Sequence, residues 1–108
     1  MPQPNLDHNR LLLEIEKITR QHNRDVINPM IAELCINDLH PLKELLARAR
    51  GDYIKEFLDL AKVAGNGSPS IEQIDKLHKL RLTFEELLAA MQALEDAIER
   101  GYLDVKGD

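Results

Sequence analysis

The chain has no tryptophan, two phenylalanines, two tyrosines and one cysteine among 108 residues. With so few aromatics, the core has to be built from Leu, Ile and Ala, which pack better between helices than within sheets. A single cysteine, Cys35, excludes any intramolecular disulfide. It stands beside Ile31 and Leu34 and reads as a small core residue rather than a nucleophile. No run is long and apolar enough to span a bilayer. The opening Met-Pro-Gln-Pro-Asn has neither the basic nor the apolar region of a secretory signal. A cytoplasmic, reducing location is expected, with no membrane partner. There is no basic excess either. The formal net charge is −5, so phosphate backbones meet no general attraction and nucleic acid is not an expected partner.

Hydrophobic residues make up 44% of the chain, enough for one core without staples. Their spacing is helical. Leu77, Leu80, Phe84, Leu87, Met91, Leu94 and Ile98 repeat at alternating steps of three and four, with Gly101 just beyond. This is a heptad seam inside one long helix. Ser70 followed by Gln73 is a capping-box signature for its start, so the helix is placed at about 70–100. Leu42, Leu46, Ala49, Tyr53, Glu56, Leu60 and Val63 give a matching seam over about 41–64, with Pro41 as a first-turn residue and Gly65 as a left-handed cap. The seam runs through Gly51 without a break in register. A first helix begins near Asn5 or Asp7 and runs to about Asn28, with Leu11, Ile15, Ile18, His22 and Val26 as its core stripe. Pro29 ends or kinks it. Met30, Ile31, Leu34 and Cys35 make one face of a short second helix, and Asn37, Asp38 and Pro41 punctuate a loop.

The expected fold class is all-α: a small antiparallel bundle of three long helices and one short one, built on a long αα-hairpin. One domain, 1–108, is expected, with 1–5 and 102–108 as loosely ordered termini. If Ala64 faces Ile71, Glu56 lies near Lys79, within a turn of His78 and Arg81. Arg48 and Arg50 then lie near Glu85 and Glu86, and Lys62 near Glu72 and Gln73. The basic run Lys76, His78, Lys79 and Arg81 thus reads as a set of partners for Glu56 and Asp59 rather than as an anion site.

Motifs that carry chemistry are sparse. Asp75-x-x-His78 places a carboxylate and an imidazole on one helical face, the step that carboxylate-bridged di-iron bundles use. Those sites need a second such step, and His40 with Glu44 straddles a helix start. His22, on the apolar stripe, reads as a core or boundary histidine. Glu56 with Asp59 and Asp96 with Glu99 are acidic pairs of the kind that magnesium-dependent all-α phosphohydrolases carry on neighbouring helices. An antiparallel hairpin sets these two pairs far apart. Gly65-Asn66-Gly67 lacks the P-loop lysine and follows a helix, and no helix-turn-helix fits two helices of this length.

The function expected is therefore a non-enzymatic protein–protein interaction module, of an accessory, regulatory or chaperone-like kind, with no cofactor. Its partner is another protein or a second copy in a homodimer. The alternative is a metal-binding bundle or a magnesium-dependent phosphohydrolase. The last helix is apolar on more than one side. Leu82, Ala89 and Ala93 on its second side, with Ile98 at its overhanging end, are the candidate protein-binding residues.

Overall fold

A computed structural model describes residues 4–107. The fold is all-α, with three helices and one small pair of strands. The elements are α1 (Pro4–Met30), β1 (Leu34–Cys35), α2 (Ile36–Ala64), α3 (Ile71–Glu99) and β2 (Val105–Lys106). The expected short second helix does not form. Residues 37–41, expected in a loop, belong to α2, with Asp38 in its favourable first turn. The chain divides into two compact units. One is Ile36–Leu94; the other comprises the chain up to Cys35 and from Glu95 onward.

The first of these is the hairpin of α2 with most of α3. Its seam is the one that the spacing implies. Leu46, Ala49, Leu60 and Met91 are buried, and Leu77, Leu80, Phe84, Leu87 and Leu94 are half-buried. Tyr53 lies against Phe84 with ring centroids 6.3 Å apart. At the ends of the seam Leu42 and Val63 are exposed, Val63 at 72%. Gly65 closes α2 at φ 56°, a conformation that costs a side-chain-bearing residue about 1 kcal/mol or more. Beyond the turn the capping box is reciprocal. Ser70 Oγ accepts the Gln73 N–H at 3.1 Å, and Gln73 Oε1 accepts the Ser70 N–H at 2.7 Å.

In the second unit, α1 continues one residue past Pro29 and closes on a bond from the Ile31 N–H to the Asn28 carbonyl. At the far end of α3, Gly101 takes φ 74°. The Tyr102 N–H bonds the Ala97 carbonyl and the Gly101 N–H bonds the Ile98 carbonyl, the two bonds of a Schellman cap. That cap turns the chain sharply. The Leu34 N–H donates to the Asp104 carbonyl at 3.1 Å, and β1 pairs with β2 in parallel, Leu34 with Val105 and Cys35 with Lys106.

This pairing corrects two expectations. Leu34 and Cys35 are extended, because their backbone finds a parallel ladder with Val105 and Lys106 instead of a helical turn. The segment 102–106 is not a loose tail: Tyr102 is 8% and Leu103 3% exposed, the latter the most deeply buried of the core residues. Of the expected loose N-terminus, residues 1–3 lie outside the described residues, while Pro4 and Asn5 are helical; Asp108 also lies outside them.

Candidate interaction surface

Within its own unit α1 makes contacts through its polar side. Arg24 donates from Nη1 to the Gly101 carbonyl and from Nη2 to Asp104 Oδ1, each at 2.8 Å. The Asn28 side chain bonds the same carboxylate, and together these donors, Arg24 foremost, hold the Asp104 carboxyl below the ordinary aspartate range. Farther up the helix, Glu16 and Arg20 share a polar groove with Asp96, Glu99 and Arg100. Asn23, Ile27 and Asn28 are half-buried on this side.

The apolar stripe therefore points the other way. At 100° per residue, Leu11, Ile15, Ile18, His22 and Val26 lie on the face opposite Arg20 and Arg24. The stripe is exposed throughout: Leu11 at 59%, Ile15 at 49%, Ile18 at 54% and Val26 at 59%. This corrects the expectation that it forms core. Periodicity reports that a face is apolar; it does not report what covers it. His22 is accordingly an exposed member of an apolar face rather than a core histidine.

On α3 the residues singled out from the sequence separate into two groups. Leu82 is 50% exposed, and Ala89 and Ala93 are exposed beside it, on the side of α3 turned away from α2. Ile98 is half-buried and in phase with Met91, seven residues earlier. It belongs to the seam side of the helix, not to the Leu82 face. The third exposed apolar strip, Ile54, Phe57 and Leu58 on α2, was not singled out from the sequence, because it flanks a stronger seam.

Several charged groups pair with one another. Glu56 pairs across the hairpin with Lys76 at 3.3 Å, not with Lys79. Lys76 is in phase with Leu80, Leu87 and Leu94 and so borders α2, whereas Lys79 is rotated a further 60° or so outward. Asp59 bonds Lys55 on its own helix at 2.7 Å, which holds its carboxyl below the usual value. Arg48 turns to Glu44 rather than Glu85, and Arg50 lies over the Phe84 ring at 5.2 Å. In the polar groove of the other unit, Glu16 pairs with Arg20 at 3.1 Å and Asp96 with Arg100 at 3.0 Å.

His78 meets Arg81 at 3.3 Å, and both it and Asp75 are exposed. Among the described residues no group of three His, Cys, Asp or Glu side chains is placed to hold a metal ion. A small apolar cavity of about 180 Å³ in the hairpin is lined by Leu42, Leu46, Leu87, Met91 and their neighbours, with no titratable group on its wall; a second hollow on the hairpin is lined by Tyr53, Ile74, Asp75, Leu77, His78 and Arg81. Cys35 is half-buried in β1. Among the described residues no helix is long and apolar enough to cross a membrane.

The outstanding features of the molecule are thus uncovered apolar helix faces, and comparison with known proteins adds no assignment to them: no family model, no curated protein and no solved structure matches the chain.

Proposed function

We propose that this chain is a non-enzymatic interaction module that acts by presenting apolar helix faces to another protein chain. One observation carries the reading. Among the described residues six hydrophobic side chains are buried and none fully, while twenty large hydrophobic ones are exposed. Single exposed hydrophobics are ordinary, but runs along one helical face mark association surfaces. The Leu11-to-Val26 face of α1, the Ile54, Phe57 and Leu58 strip of α2 and the Leu82, Ala89 and Ala93 face of α3 are surfaces of this kind.

The test is association measured on the intact protein. The chain and two variants, Leu82→Asp/Ala89→Asp and Ile15→Asp/Ile18→Asp, are compared in affinity capture and in sedimentation. An interaction module forms a stable complex, with itself or another chain, that at least one double variant abolishes while its helicity is kept. A chain that is monomeric, captures nothing and is indifferent to both variants refutes the proposal.

A further inference from the structure

The structure assigns a specific occupant to the α1 face: we propose that a second copy of this chain docks there, α1 against α1, antiparallel about a two-fold axis. This rests on the reading of the chain as an interaction module and names the partner and the face.

The first observation is orientation. The contacts of α1 within its unit, Arg24 with Asp104 and Gly101 above all, use one side of the helix. The exposed stripe occupies the opposite side, so a partner can approach it without displacing the tail. The second is spacing. His8, Leu11, Ile15, Ile18, His22 and Asp25 alternate at steps of three and four, the seam of a two-helix coiled coil. Leu12 and Val26, exposed at 62% and 59%, widen it on one flank.

The third is charge, and it fixes the direction. A parallel pair sets every seam residue against its own copy, so Asp25 meets Asp25, His8 meets His8 and His22 meets His22. The antiparallel pair with Ile15 opposite Ile18 sets His8 of one copy opposite Asp25 of the other, twice by symmetry, and Leu11 opposite His22. The like-charge carboxylate pair disappears and each Asp25 faces a hydrogen-bond donor. The two isoleucines flank the axis, where a self-complementary apolar centre is required.

Light scattering across a concentration series is the test, with far-UV circular dichroism as the check on folding. The wild-type chain is expected to reach twice its 12.3 kDa mass. Ile15→Asp/Ile18→Asp, at positions exposed in the single chain, is expected to stay monomeric and helical, and Leu82→Asp/Ala89→Asp to dimerise as wild type does. His8→Asp places a carboxylate opposite Asp25 and is expected to weaken the dimer roughly tenfold. The exchange His8→Asp/Asp25→His restores it. Direction is read by a nitroxide at Asn9→Cys in a Cys35→Ser chain. The antiparallel pair separates the two labels by about 22 Å along the axis; a parallel pair sets them side by side.

Three outcomes overturn the proposal. A wild-type monomer at every concentration that still binds another protein removes the second copy and leaves the interaction module standing. A dimer broken by Leu82→Asp/Ala89→Asp and not by Ile15→Asp/Ile18→Asp moves the interface to α3. Labels side by side refute the antiparallel arrangement.

Discussion

The two units are held together by different chemistry. The hairpin of α2 and α3 is an apolar seam with ion pairs at its edge; Leu46, Leu60 and Met91 lie inside it and Glu56 with Lys76 borders it. The unit of α1 and the tail is a polar clasp around a small apolar plug. Leu103 and Tyr102 are buried, but α1 reaches the tail through Arg24 and Asn28 rather than through its apolar face. The difference teaches that a helix need not dock by its most hydrophobic side. Where a guanidinium finds two oxygens at 2.8 Å, the polar side docks and the apolar side stays exposed.

The sharpest way to separate the units is to hollow each in turn. Leu60→Ala and Leu103→Ala are each expected to cost about 2–3 kcal/mol, near the low end for such truncations because neither core is deep. Hydrogen exchange locates the loss: Leu60→Ala loosens α2 and α3, while Leu103→Ala exposes the amide of Leu34 first. Uniform loosening of both units by either variant would erase the distinction between them.

Next in size are the caps. Gly101→Ala puts a side chain at φ 74° and Ser70→Ala removes the reciprocal cap of α3, each at about 1 kcal/mol in urea denaturation. The first is expected to free the tail, the second to fray the hairpin turn.

Arg24→Ala cuts the clasp itself. Exchange at the Leu34 amide is expected to quicken roughly fivefold with the hairpin amides unchanged. The clasp also carries a pH signature. Asp104 has its carboxyl depressed in the folded chain, so the stabilisation is complete above the unfolded aspartate value and is lost as pH falls through the lower, folded one. Protection of Leu34 should be flat from pH 7 to about pH 4 and decline below that. Smallest of all is Glu56→Ala. It removes a pair with one well-exposed partner, Lys76, and should cost about 0.5 kcal/mol or less.

The hairpin was legible in the sequence because its information is local. A heptad repeat, a Ser70–Gln73 box and two glycines beyond helix ends each act within a few residues of themselves. The register was legible less finely. Spacing alone put Glu56 beside Lys79, and only the rotation of each lysine about α3 decides for Lys76. The clasp was not legible, because Leu34 bonds Asp104 and Arg24 bonds Gly101 across more than half the chain, and neither partner belongs to a periodic pattern. For the candidate surface, the second side of α3 could be read from Leu82, Ala89 and Ala93. The larger α1 face is visible as a stripe, but its exposure is not, since an apolar period does not say whether the face is covered.

The most direct test is carbene footprinting of the intact chain as its concentration is raised. At dilution, Leu11, Ile15 and Ile18 should be modified as readily as Leu82, and Leu103 should be protected. On concentration the three α1 residues should become protected while Leu82 does not change. An α1 stripe already protected at dilution, or a Leu103 that labels freely, would contradict the account of a helix that docks by its polar side and offers its apolar one.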